Sequence, residues 1–192
     1  MEDMIEIRWH GRGGQGAKTA SQLVADAALD EDMYIQAFAE YGPERMGAPI
    51  QSFTRISKHP IKIHCQAQTP DVVAVLDPTL VKSEDVTHGM KENGILLINT
   101  DKTPAEIRKQ LPEVKIKVYT VDASGIAADT IGRPIPNTPM VGALTRATGL
   151  IQIDRLKEGL RKKFSGKFKE EIVEGNIKAV ERAYEEVQSD EA

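Results

Sequence analysis

The chain has 192 residues, of which 40% are apolar and 28% charged, and 25 basic against 29 acidic side chains leave a net charge of −4. That length supports one domain with a sizeable core and no covalent staples. The acidic balance excludes a general nucleic-acid binder, which needs a cationic surface to displace counterions, and no apolar run approaches the roughly 20 residues of a membrane helix.

One cysteine, Cys65, cannot form an internal disulfide, an iron–sulfur cluster or a zinc ribbon. The acidic opening Met1-Glu2-Asp3-Met4 is unlike a signal or transit peptide, so the cytoplasm is the expected compartment.

Residues 4–9 alternate apolar and polar side chains around Ile5 and Ile7 and predict a strand. The glycine-rich run Gly11-Arg12-Gly13-Gly14-Gln15-Gly16 follows at once. Over residues 17–29, Ala20, Leu23, Val24, Ala27 and Ala28 recur at helical spacing, and Asp30-Glu31-Asp32 closes the helix. Residues 33–39 read as a second strand, giving a strand–loop–helix–strand unit. Glu40 to Pro49 has two glycines and two prolines in ten residues and reads as a loop. Residues 50–56 and 61–65, on either side of Lys58-His59-Pro60, predict a hairpin.

Residues 71–76 and 94–98 are solid apolar runs of the kind covered on both faces in a parallel sheet. Residues 116–121 form a third, partly alternating run. Thr103-Pro104-Ala105-Glu106 predicts a helix start, with Thr103 capping, Pro104 in the first turn and Glu106 returning the bond. A short helix is expected over 122–131, closed by Gly132. Asn137-Thr138-Pro139 suggests a second capped start, whose helix runs through Val141, Leu144 and Ala147 to Gly149. The remainder, about 151–188, is charged and helical. It carries an apolar stripe of Ile177, Val180, Tyr184 and Val187, and residues 188–192 are expected to fray. The alternation predicts an α/β fold of three layers, α/β/α, with a mostly parallel, mixed sheet and a Rossmann-like start, in one domain spanning 1–192.

Gly11, Gly13 and Gly16 satisfy the G-x-G-x-x-G spacing, between a predicted strand and a predicted helix. Glycines there allow a tight turn and close ligand approach, and the helix start offers free N–H groups and a positive dipole end to an anion. The alternative is a turn that only lets strand and helix pack closely. Gly14 and Gln15 depart from a dinucleotide loop, no phosphate-binding lysine follows, and no acid–base constellation accompanies it. An independent NAD(P)-dependent enzyme or a phosphate-ligand-binding scaffold is therefore the alternative reading, with Glu40 in the zone where a ribose-binding acid belongs. Arg45 suits a phosphate or carboxylate, with Glu44 as its rival partner. Asp77, Asn99, Thr100 and Asp122 fall at strand ends, where capping is the commoner role. Asn137 and Thr138 open a helix and are candidates for ligand contact. The histidines fit no metal spacing, and His10 alone adjoins the loop. The basic cluster from Lys157 to Lys169 reads as a solvated helix face.

The pair of motifs, Gly11-Arg12-Gly13-Gly14-Gln15-Gly16 and Glu40-Tyr41-Gly42-Pro43-Glu44-Arg45-Met46-Gly47-Ala48-Pro49, resembles the gamma subunit of 2-oxoacid:ferredoxin oxidoreductases, the pyruvate enzymes above all. The likeness extends over nearly the whole chain, including residues 71–77, Asn137-Thr138-Pro139-Met140 and the charged helical end. The resemblance implies a subunit of an assembly that converts a 2-oxoacid and coenzyme A to an acyl-CoA and CO2 and passes electrons to ferredoxin. Alpha, beta and delta-type subunits are its implied partners. They are expected to carry thiamine diphosphate, Mg2+ and [4Fe-4S] clusters, while coenzyme A handling is the involvement implied for the gamma chain. Carried onto this sequence, the motif positions are Gly11, Gly13, Gly14, Gln15, Gly16, Tyr41, Gly42, Pro43, Glu44 and Arg45, as contacts to coenzyme A or to a neighbouring subunit.

Overall fold

The computed structural model describes residues 4–29, 33–40 and 47–190. Seven strands form one sheet in the order β2-β3-β1-β4-β5-β6-β7. They are β1 (Met4–Arg12), β2 (Tyr34–Glu40), β3 (Pro49–Ser57), β4 (Val72–Val75), β5 (Ile95–Asn99), β6 (Lys117–Val121) and β7 (Gln188–Ser189). β1, β4, β5 and β6 are parallel neighbours. β3 runs antiparallel between β1 and β2, and β7 antiparallel to β6. The sheet is therefore mixed around a parallel centre: the apolar runs predict the parallel strands, while the antiparallel pairing comes from β2, β3 and β7 and not from the expected hairpin.

Helices cover both faces unequally. α1 (Ala17–Leu29), α4 (Ala123–Ile131), α5 (Asn137–Thr148), α6 (Ile153–Phe164) and α7 (Glu170–Glu186) lie on one side. They bury Leu23, Val24, Met140, Leu144 and Val180 against Ile7, Trp9 and Ala74. The other face holds a smaller cluster, in which Val73, Val75, Leu96, Ile98 and Val118 pack against Leu80 of α2 (Leu80–Ser83) and Ile107 of α3 (Pro104–Arg108). No helix among the described residues is long and apolar enough to cross a membrane.

The local signals act as their chemistry requires. Thr103 and Glu106 close a reciprocal capping box with Pro104 in the first turn. Asp122 caps α4 through Gly125 N, and Gly132 and Gly149 end α4 and α5 in the left-handed conformation. Gly142 lets α5 and α7 approach closely, because a Cβ there would lie 2.3 Å from the Val180 carbonyl oxygen.

Four expectations need correction. Residues 61–65 are not a strand, so the predicted hairpin does not form. β3 spends both edges on β1 and β2, and the 61–65 segment is held instead by side chains. Gln36 Nε2 donates to Ile63 O at 2.9 Å and Arg55 Nη2 to Cys65 O at 2.6 Å. The tail does not fray at residue 188. Gln188 and Ser189 pair with β6, and Asp190 accepts from Val118 N at 2.9 Å and from Arg108. Asn137 is not the cap of α5: Pro136 takes that place without a side-chain bond, and Asn137 Oδ1 accepts from Thr138 N at 2.9 Å. The basic cluster is only partly a solvated face, since Lys157 pairs with Glu181 and Lys163 with Asp26 of α1.

Candidate functional site

Gly11 and Arg12 belong to the end of β1, so the glycine turn proper is Gly13 to Gly16. Gln15 N donates to Arg12 O at 3.1 Å and closes it. Gly14 (φ +100°) and Gly16 (φ +82°) hold conformations that favour glycine. A Cβ on Gly14 would meet no atom within 4 Å, so conformation rather than crowding calls for glycine there.

Gln15 explains why this is not an ordinary dinucleotide loop. Its Oε1 accepts from Arg12 N at 2.8 Å, and its Nε2 donates to Asp77 Oδ2 at 2.7 Å. Arg12 pairs with the same carboxylate at 3.3 Å and donates to Thr79 Oγ1 and Gly47 O. Burial alone would raise the Asp77 pKa. Hydrogen bonds from Thr79 and Gln15, with the Arg12 charge, outweigh that and hold the carboxyl below its usual value. The turn is thus braced from beneath by an ionised Asp77, and the Arg12 charge is engaged internally.

The turn also meets the start of α5. A Cβ on Gly16 would fall 2.6 Å from Asn137 Nδ2 and 2.9 Å from Asn137 Cβ, so glycine here is a requirement of contact as well as of φ. Behind Asn137, Thr138 Oγ1 donates to Asn176 Oδ1 of α7 at 2.9 Å, and Asn176 Nδ2 donates to Ile172 O at 2.7 Å. Two helix N-termini, of α1 and α5, therefore converge. At α5, Thr138 N is taken by Asn137 Oδ1 and Pro139 has no N–H, so that start offers the Asn137 amide and its dipole end, while α1 offers the free amides of an ordinary helix start. A cleft of about 520 Å³ adjoins them, with Thr19, Asn137, Thr138 and Arg133 as polar lining. Its apolar wall includes Ile135 and the edge-to-face pair Phe164 and Phe168. Such a surface can receive an anion at one end and an apolar chain along the other.

Of the sequence-predicted residues, the structure brings Gly13, Gly14, Gln15, Gly16, Asn137 and Thr138 to one region, with Gly11 just inside β1. Tyr41, Gly42, Pro43, Glu44 and Arg45 lie outside the described residues. The residues that follow them return to the turn: Ala48 O accepts from Gly13 N at 3.1 Å and Gly47 O from Arg12 Nη1. Glu40 closes β2, and its carboxylate accepts from Gln66. Asn99 bridges Leu76 O and Ser124, and Asp122 caps α4, so both serve the scaffold. His10 points away from this region into a separate cleft on the opposite sheet face. Sequence reasoning missed Arg12, Thr79 and Arg133. The first is visible only as the variable position of the glycine motif, and the other two carry no local pattern.

The family model for pyruvate ferredoxin/flavodoxin oxidoreductase matches residues 6–186. The chain is 48% identical over 185 residues to the pyruvate/ketoisovalerate oxidoreductases common subunit gamma of Pyrococcus abyssi, covering 96% of this chain and 98% of that one. It resembles the crystal structure of the pyruvate oxidoreductase subunit PORC of Thermotoga maritima with a TM-score of 0.88 and 45% identity, over 99% of this chain and 100% of the other. A 2-oxoglutarate:ferredoxin oxidoreductase from Magnetococcus marinus, solved with 2-oxoglutarate, coenzyme A and succinyl-CoA bound, shares the fold. Its TM-score is 0.76 at 24% identity, over 95% of this chain and 31% of that one. The chain belongs to the pyruvate ferredoxin/flavodoxin oxidoreductase family.

Proposed function

We propose that this chain is the gamma-type subunit of a 2-oxoacid:ferredoxin oxidoreductase, with pyruvate as the first substrate to test. In that role it contributes to the conversion of pyruvate and coenzyme A to acetyl-CoA and CO2, with two electrons leaving for ferredoxin. The thiamine diphosphate, Mg2+ and [4Fe-4S] clusters of that reaction reside on alpha, beta and delta-type partners in this reading. The full-length likeness to PORC and to the gamma subunit of Pyrococcus abyssi supports it.

This chain's own share is the handling of coenzyme A. The observation that carries this is the convergence of the α1 and α5 N-termini at Gly16 and Asn137, beside a cleft with an apolar wall. Coenzyme A has anionic phosphates at one end and a pantetheine arm with long aliphatic stretches. The helix starts and Arg133 suit the phosphates, and Ile135, Phe164 and Phe168 suit the arm. The described residues that line this cleft include no carboxylate and no histidine, and their part in this reading is to bind and orient.

The test is co-expression with the partner subunits, purification of the complex, and a panel of 2-oxoacids with varied coenzyme A. Arg133→Ala in the complex is expected to raise KM for coenzyme A about tenfold, the weight of one charge-assisted contact, with KM for pyruvate unchanged. An unchanged KM for coenzyme A would remove the binding role. Purification of the native chain as a lone monomer would remove the subunit role.

A further inference from the structure

A second polar cleft, of about 530 Å³, lies on the sheet face opposite α1. That volume falls within the roughly 300–1,000 Å³ of small-molecule sites. The face is set by the pleat: Ile7 and Trp9 point into the helical core, so Glu6, Arg8 and His10 point the other way. Arg8 and His10 are its buried polar lining, 6% and 3% exposed. Gln51, Gln66 and Gln68 add amides, and Asp85 and His88 are exposed at its edge.

The hydrogen bonds fix the state of the buried pair. Arg8 Nε donates to His10 Nε2 at 3.0 Å. A guanidinium Nε always carries its proton, so His10 accepts there and is the neutral tautomer with its proton on Nδ1. Arg8 Nη2 is taken by the carbonyls of Val86 at 3.1 Å and His88 at 2.8 Å. Arg8 Nη1 and His10 Nδ1–H have no acceptor among the described residues. Two donors on otherwise buried residues, one of them charged, thus face an open cleft among neutral amides and are free to take an acceptor.

We propose that this cleft binds a small monoanionic organic acid, whose carboxylate accepts from Arg8 Nη1 and His10 Nδ1–H while the Gln51 and Gln68 amides take its other polar atoms. Asp85 sets the charge that is tolerated. It is the one carboxylate among the described lining residues, and its charge acts on Arg8. One guanidinium partly offset by one carboxylate accommodates a single negative charge and disfavours two or three. The site lies across the sheet from the α1–α5 cleft and does not depend on the role assigned there.

The test is an NMR titration of the full chain, read at the His10 imidazole resonances. Sodium acetate, pyruvate, inorganic phosphate and citrate are added at constant ionic strength. Acetate and pyruvate are expected to give saturable shifts with half-saturation at about 1–10 mM, and phosphate and citrate to bind at least about tenfold more weakly. Asp85→Asn, at an exposed position, is expected to tighten acetate about three- to fivefold, the weight of an exposed charge pair. Arg8→Lys is expected to abolish the shifts. Arg8 also holds two carbonyls, so if that variant fails to fold the comparison rests on Asp85→Asn and on Gln51→Glu, which is expected to weaken acetate. The proposal is overturned if neither monoanion saturates. It is equally overturned if phosphate binds as tightly as acetate, or if Asp85→Asn does not tighten binding.

Discussion

The contact between Gly16 and Asn137 joins the glycine motif to the helix start that follows it more than a hundred residues later, and its worth can be isolated by a double-mutant cycle. Gly16→Ala carries two costs. The first is conformational: at φ +82° an L-residue loses about 1–2 kcal/mol. The second is steric. The new Cβ would stand 2.6 Å from Asn137 Nδ2 and 2.9 Å from Asn137 Cβ. The amide can rotate away, but the Cβ is fixed by α5, which Thr138 ties to Asn176. Overpacking of this kind costs about 1–3 kcal/mol, for a total of about 2–5 kcal/mol. Asn137→Gly removes every atom of the clash, at about 1 kcal/mol for helix propensity and the bond to Thr138 N.

The double variant should therefore be more stable than the sum of the singles predicts, by about 1–3 kcal/mol. Gly14→Ala is the control, with φ +100° and no atom within 4 Å of the new Cβ. It should cost only the conformational part, about 1–2 kcal/mol, and show no coupling to Asn137. Urea unfolding followed by circular dichroism reads the stabilities of the parent, the singles and both doubles with Asn137→Gly. Additivity of Gly16→Ala and Asn137→Gly within about 0.5 kcal/mol would refute the claim that the two helix starts touch.

Three further outcomes are expected. Arg55→Met should destabilise by about 3–5 kcal/mol, because Arg55 is fully buried, pairs with Glu6 at 2.6 Å and holds Cys65 O; a loss below about 1 kcal/mol in urea unfolding would show that the pair is solvated. Burial, then the Arg8 charge, lowers the His10 pKa to about 4 from 6.5. The unfolded chain then binds more protons between those values, so the contribution is complete above about pH 6.5 and is lost as pH falls toward 4. At full extent it amounts to about 3 kcal/mol. The stability difference between the native chain and His10→Gln should therefore shrink between pH 7.5 and pH 5, and a pH-independent difference would sink the assignment. Gly142→Ala should lower the melting temperature despite alanine's better helix propensity, because the Val180 carbonyl oxygen would stand 2.3 Å from the new Cβ and α7 would have to move; an unchanged or raised value would contradict the packing.

What the sequence discloses and what it conceals divides along a physical line. Signals that act within a few residues are legible. The span of α1 follows from its apolar period, and the ends of α3, α4 and α5 follow from Thr103, Gly132 and Gly149. The central strands are equally plain, since β4 and β5 are apolar on both faces. Pairing is not legible. Residues 61–65 alternate as a strand does, yet the neighbouring β3 has already filled both edges, and side chains of β2 and β3 hold the segment. Gln188 and Ser189 are too short for any period to register, and they join the sheet because Asp190 is caught by Arg108 and Val118 N. The candidate site divides in the same way. The glycine turn announces itself, but the use of Gln15 to bridge Arg12 N and Asp77, and the seating of Gly16 on Asn137, are tertiary facts.

The polar face of β1 shows why alternation alone misleads. Glu6, Arg8 and His10 alternate with Ile7 and Trp9, and the ordinary reading is a strand with one face in water. The face is buried instead. What makes that tolerable is that each charge has a partner of suitable chemistry on the same face: Glu6 has Arg55 from β3, and Arg8 has His10 and two carbonyls. A solvated face needs no such matching. Opposite charges in register on adjacent strands, as Glu6 and Arg55 are, are thus a sign of closure that becomes readable once the pairing of β1 with β3 is known. Among the described residues the same matching leaves Arg8 Nη1 and His10 Nδ1–H facing the cleft without an acceptor, while Glu6 and Arg55 answer each other. For that reason the residue surplus, and not the cavity alone, directs attention to that cleft.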